Sequence, residues 1–220
     1  MGSTWELLVQ VFRDGGAVMF VLLGVSIVAS TLCAERAMFW LATSGGGAAR
    51  RWRALTARVR AGDRPGAIAL ARAERSFAQR FAAEFMARVS DVRDGAAIVA
   101  IGDELVEEAR PALERFSSTL SAVITAAPML GILGTVLGII ESFQLLGSSG
   151  PVTDPTAVAG GIAKALYTTV FGLVVALLAL LPFVAFRAMA DRATGRLESL
   201  VALVAACWSD GKDAGVKSPD

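Results

Sequence analysis

Apolar residues along this chain gather into three runs, each long enough to cross a bilayer, which takes about 20 helical residues. The first covers residues 16–34 and stops at Glu35-Arg36, the second covers 118–146, and the third covers 158–186. The last two exceed the minimum, so tilt or extension beyond the hydrocarbon is expected of them. The stretch between the first two runs has another rhythm. Phe77, Phe81, Phe85 and Val89 recur every four residues, with Arg80, Glu84 and Arg88 on other faces, the period of an amphipathic helix. That aromatic stripe fits a core or packing surface better than a ligand site. Gly62-Asp63-Arg64-Pro65 predicts a turn and a helix start, with Asp63 as cap and Pro65 at an early helical position. Residues 103–116 pass from Glu104, Glu107 and Glu108 to Arg110 and Arg115, a helix expected to lead into the second span. Gly45-Gly46-Gly47 marks a flexible joint. Past Phe186 the apolar pattern continues through Leu197, Leu200, Leu203 and Val204, so the third span is expected to extend as an amphipathic helix. The tail beyond Asp210 is expected to be disordered. No strand pattern competes. The expected fold class is an all-α membrane protein, three transmembrane helices with a helical region between the first two.

Charge sets the orientation. Residues 36–115 contain fourteen arginines and no lysine, and Arg187, Arg192, Arg196, Lys212 and Lys217 follow the third span. The connection at 147–157 has no basic residue, and only Arg13 precedes the first span. Basic loops stay on the cytoplasmic side. Residues 35–117 and 187–220 are therefore expected inside, and 1–15 and 147–157 outside. The first run reads as a retained anchor rather than a signal peptide, because Glu6 and Arg13 roughly cancel and no small-residue cleavage site follows. Ser30-Thr31-Leu32 ahead of Cys33 is also unlike a lipoprotein cleavage box.

Composition narrows the function. Hydrophobic residues make up 55% of the chain and mean hydropathy is +0.58, too apolar for an ordinary soluble domain. A net charge of +1 gives no basic field for nucleic acid. Histidine is absent, Cys33 and Cys207 stand far apart, and no nucleophile–base set or metal-ligand cluster can be assembled. Neither an enzyme nor a metal or cofactor site is expected.

The spans carry their own signals. Gly131, Gly134, Thr135 and Gly138 in the second, and Gly161, Ala165, Thr169, Gly172 and Ala176 in the third, place small residues at three- and four-residue intervals. Such spacing lets helices approach closely in lipid. The first span, with Phe20, Leu22, Leu23 and Ile27, is expected to face lipid. Thr135, Glu141, Lys164, Thr168 and Thr169 are polar residues inside the last two spans. Mirroring positions about a loop centred near residue 152 pairs Thr135 with Thr169 and, within one residue, Glu141 with Lys164. That gives a deeper hydroxyl layer and a charged layer nearer the outside. Membrane-embedded charges cost about 2.5–3.5 kcal/mol each on insertion scales. Glu141 and Lys164 therefore form an ion pair, snorkel to the interface, or line a water-filled proton route together with Thr168. Each threonine hydroxyl either bonds its own helix at i−4 or faces the ion path.

Residues 127–143, Ala-Pro-Met-Leu-Gly-Ile-Leu-Gly-Thr-Val-Leu-Gly-Ile-Ile-Glu-Ser-Phe, resemble the second-span signature of ExbB and TolQ proteins. Residues 161–173, Gly-Ile-Ala-Lys-Ala-Leu-Tyr-Thr-Thr-Val-Phe-Gly-Leu, resemble their third-span signature, and Leu113-Glu114-Arg115-Phe116 also fits. The resemblance to the ExbB/TolQ/MotA family implies a bacterial inner-membrane protein with periplasmic N-terminus and cytoplasmic C-terminus. It implies a pentamer whose second and third spans ring a pore holding a dimer of an ExbD- or TolR-like single-span partner. Thr135 and Thr169 would face that partner's membrane aspartate, protons would be the coupling ion, and a TonB- or TolA-like protein would receive the work. Three spans argue against the four-span MotA type. Uptake across the outer membrane, TolQ-like envelope maintenance and a gliding motor all remain compatible, as does a non-conducting scaffold. A secondary transporter would need internal repeats that three spans do not show. One departure stands out: Lys164 occupies a position where ExbB-type proteins often have glutamate, and Glu141 across the hairpin is the alternative acidic group.

Overall fold

The computed structural model describes residues 16–43, 47–73, 76–148 and 155–209. The expected N-terminal segment 1–15, the joint at Gly45-Gly46, the centre of the short outer loop and the tail beyond Asp210 lie outside the described residues. Those described form seven helices and no strand: α1 Gly16–Thr43, α2 Ala48–Arg60, α3 Arg64–Arg72, α4 Phe77–Arg88, α5 Gly95–Leu113, α6 Ser117–Ser148 and α7 Pro155–Trp208. Only α1, α6 and α7 are long and apolar enough to cross a membrane. The chain divides into two compact units, one of residues 1–36 and 116–185, the other of 37–115 and 186–220.

The first unit is the membrane part. Leu22 of α1 packs with Ala127 of α6 and with Val175 and Ala176 of α7, and Val18, Val25, Val123, Leu130 and Phe171 surround them. Here the lipid-facing expectation for the first span needs correction. Phe20 and Ile27 are exposed, but Leu22 is fully buried on the opposite side of the helix. The apolar run ends at Ala34 as expected, while the helix continues, because Arg36 is covered there. Its Nε donates to Glu35 Oε2 at 2.7 Å, and its guanidinium lies 5.7 Å from the Phe116 ring centre.

The second unit has an aromatic core. Phe81 and Phe85 of α4 and Val89 at its C-terminal cap are buried with Ile98 and Leu105 of α5 and with Leu197, Leu200, Val204 and Trp208 of α7. The four-residue stripe is thus a packing surface. Phe77, at its start, is partly buried and meets Phe39 edge-on at 6.4 Å. The apolar residues past Phe186 belong to α7 itself, which runs unbroken for 54 residues. Helix α5 differs from expectation at both ends. It starts at Gly95, where the Asp94 carboxylate accepts from the N–H groups of Ala96 and Ala97, and it stops at Leu113 instead of running into the second span. Phe116, with φ of 66°, turns the chain through the left-handed region before α6 begins. Non-glycine residues rarely adopt that region, and a continuous 3.6-residue pattern does not announce it.

Asp63 caps α3 as the sequence predicts. Its Oδ1 accepts from the Gly66 N–H at 2.9 Å, and its Oδ2 accepts from Arg58 Nη1 at 2.9 Å. Asp63→Ala removes the cap at a cost of about 1 kcal/mol. Thermal unfolding of the full-length protein in detergent is expected to begin about 2–4 °C lower. An unchanged midpoint would mean that Pro65 alone holds the helix start.

Candidate functional site

The candidate site is the α6/α7 hairpin within the first unit, and its geometry follows from the glycines. Each helical residue advances about 1.5 Å, and positions three or four apart share a face. On that shared face Ala127, Gly131, Gly134, Gly138 and Ser142 of α6 meet Gly172, Thr169, Thr168, Ala165 and Gly161 of α7. A Cβ on Gly172 would lie 2.5 Å from the Ala127 carbonyl oxygen and 3.2 Å from Gly131 Cα. One on Gly131 would lie 2.9 Å from Thr169 Cα, and one on Gly138 would lie 2.7 Å from Ala165 Cβ. At Gly134 and Gly161 a Cβ would overlap the side chains of Thr168 and Ser142. Backbone thus lies against backbone or against a short side chain along the whole face, which is how helices gain dispersion contact in lipid.

This close approach places the hydroxyls. Thr168 is buried, and its one hydroxyl proton is shared between the carbonyls of Ala165 at 2.7 Å and Gly131 at 3.1 Å. Thr169, half-buried, donates across the hairpin to the same Gly131 carbonyl at 3.0 Å. Thr135, also half-buried, donates to Ile132 of its own helix at 2.6 Å. Inside an α-helix the Gly131 carbonyl also accepts the N–H of Thr135. Three donors therefore converge on an oxygen with two lone pairs. Thr168 has a shorter second bond to keep, so Thr169 is the hydroxyl most easily exchanged for another partner.

Two sequence expectations change at this point. The hairpin pairs Gly138 with Ala165 and Ser142 with Gly161, one residue from the mirror position, so Thr135 and Thr169 do share a level. They do not bond each other, however; a single peptide group lies between them. Thr168, expected to line a pore, is instead sealed between α6 and α7, because it is the residue on which Gly134 closes. Glu141 and Lys164 lie near one level and are both exposed, and no ion pair joins them among the described residues. Ser142 was missed by sequence reasoning. It is buried, donates to the Gly138 carbonyl at 2.8 Å and packs on Gly161. Its place four residues after Gly138 was the signal. No cluster of metal-ligating side chains occurs among the described residues.

Around this face the hairpin is apolar and open: Val136, Leu137, Ile140 and Phe143 on α6, and Leu166, Val170, Leu173 and Leu177 on α7, are exposed. A tight helical pair with two half-buried hydroxyls and apolar flanks, built from two of three candidate spans, defines a helical membrane protein. The MotA/TolQ/ExbB proton channel family model matches residues 73–199, which take in all of α6 and most of α7. Biopolymer transport protein ExbB-like 3 of Synechocystis is 32% identical over 196 residues, covering 84% of this chain and 90% of that protein. ExbB-like 1 of the same organism is 38% identical over 183 residues, 80% of this chain and 69% of its own. The Tol-Pal system protein TolQ of Pseudomonas aeruginosa is 38% identical over a shorter stretch of 84 residues, 38% of this chain and 36% of that protein. The chain belongs to the MotA/TolQ/ExbB proton channel family.

Proposed function

We propose that this chain is the multi-copy subunit of a proton-driven motor in the bacterial inner membrane. Five copies ring a dimer of an ExbD- or TolR-like single-span partner, with the arginine-rich region cytoplasmic and the short α6/α7 loop periplasmic. The observation that carries the reading is the Thr169 hydroxyl, half-buried on a carbonyl that already has other donors. A hydroxyl can donate to a carboxylate and accept from a carboxylic acid, so it serves a membrane aspartate in either protonation state. One proton crossing about 100 mV releases about 2.3 kcal/mol, enough per step to bias a rotation. The apolar flanks of the hairpin supply the surface on which copies assemble. The ExbB-like relatives cover far more of the chain than TolQ does, which favours energising of biopolymer transport, through a TonB-like protein, over Tol-type envelope maintenance through a TolA-like one.

The test is reconstitution with an ExbD- or TolR-like single-span partner. Liposomes holding the complex are expected to take up protons down a pH gradient, and liposomes holding either protein alone are not. Native mass measurement is expected to give five copies to two. A verified complex that conducts nothing would contradict the motor and favour a scaffold.

A further inference from the structure

The second unit contains a cavity of about 300 Å³ that the proton path does not use. Its walls include Trp40, Trp52 and Phe77, together with Gln79, Arg192 and Arg196. The charged groups there are both donors, beside the hydroxyls of Thr43 and Ser76 and the Gln79 amide. Arg192 and Arg196, four apart on one face of α7, form no ion pair among the described residues. Trp40 is 6% exposed, and its Nε1–H is buried without a hydrogen-bond partner. Gln79 is 3% exposed; its Oε1 accepts from Ser76, and its amide N–H groups donate to no described residue. Among the described residues no Asp or Glu lines the cavity. Orphaned buried donors are costly, and two guanidiniums that face no described acid can take an anion.

Position along the chain says which anion. Arg192 and Arg196 follow Phe186, where the third apolar run ends, by about 9 and 15 Å of helix rise. Side chains on a helix lean toward its N-terminus, here back toward the bilayer, and a tilted helix lies shallower still. Trp40 stands six residues beyond Ala34, the end of the first apolar run. The lipid headgroup layer is about 5–8 Å thick on each side. An arginine stem can reach back into it, and tryptophan is the residue that sits at this level. We infer that the cavity binds the headgroup of an anionic phospholipid from the surrounding membrane. Arg192 and Arg196 hold its phosphate, and Trp40 Nε1 and the Gln79 amide donate to its oxygens. This site depends on the spans crossing the membrane and not on proton conduction, so the two readings can fail separately.

The test is native mass spectrometry of the full-length protein in detergent, titrated with phosphatidylglycerol or with phosphatidylcholine of the same acyl chains. Two interfacial charges are worth about thirty-fold in affinity. Arg192→Gln/Arg196→Gln is expected to lose about that much phosphatidylglycerol binding, with little change for phosphatidylcholine. Trp40→Phe is expected to lose a few-fold. The Arg53→Gln/Arg60→Gln pair, exposed on α2, is expected to bind as the wild type does. Arg192→Lys/Arg196→Lys keeps the charge and is expected to stay within a few-fold, which separates lost binding from lost folding. Equal binding by the wild type and the Arg192/Arg196 glutamine variant would overturn the inference. So would an equal loss in the α2 variant, or displacement of the lipid by inorganic phosphate, which would make this a free-anion site.

Discussion

Gly172→Ala is expected to destabilise the protein although it adds a single methyl group to a helix. Elsewhere in a helix the same change stabilises by up to about 1 kcal/mol, because alanine is the better helix former. At Gly172 the new Cβ meets backbone on two sides, the Ala127 carbonyl at 2.5 Å and Gly131 Cα at 3.2 Å. No rotamer change relieves a clash with backbone, so α6 and α7 must move apart. Overpacking of this kind costs about 1–3 kcal/mol. Separation also lengthens the cross-hairpin bonds of Thr168 and Thr169 to Gly131. Gly24→Ala is the comparison, since a Cβ there meets nothing within 4 Å. Thermal unfolding in detergent is expected to move down for Gly172→Ala and to hold or rise for Gly24→Ala. The same direction of change in both would mean that the hairpin face is not the close contact described.

The second large effect belongs to Thr169. Thr169→Val keeps the shape and deletes the hydroxyl, leaving the Gly131 carbonyl with Thr168 and its helical N–H. The fold should tolerate this, because that carbonyl still has donors. Conduction should not. A hydrogen bond to a charged group is worth about 1.5–3 kcal/mol, so proton flux is expected to fall about ten- to hundred-fold. Thr169→Ser, which keeps the hydroxyl, is expected to retain most of it. Thr168→Val serves as the contrast. Its hydroxyl is buried in the hairpin, so its loss is expected to cost stability before flux.

That contrast marks what the sequence could and could not convey. Long apolar runs and arginine placement make three spans legible, since few other structures satisfy a 20-residue apolar segment. The glycine spacing announces a close helical contact and puts it on α6 and α7. Which of two adjacent threonines enters that contact is another matter. Thr168 and Thr169 differ by about 100° around the helix, and only the closure of Gly134 on Thr168 decides it. Leu22 shows a second limit. Leucine suits lipid and a helix interface equally, so its burial against Ala127 and Val175 leaves no trace in hydropathy. The turn at Phe116 is a third case, because its strained φ is imposed by the chain on either side and the residues there are good helix formers. In the second unit the aromatic period of α4 gives away the core. The cavity beside it is not legible, since it draws on α1, α4 and α7, which are far apart in the chain.

Proton uptake by liposomes containing the wild-type complex, Thr135→Val, Thr169→Val or Thr169→Ser is the most direct test of the α6/α7 hairpin as the conducting element. Assembly of each variant is checked first by native mass. Loss of flux in Thr169→Val, a smaller loss in Thr135→Val and recovery in Thr169→Ser is the predicted result. Undiminished flux in both valine variants would contradict it, returning the threonines to packing and shifting the path to Glu141 and Lys164.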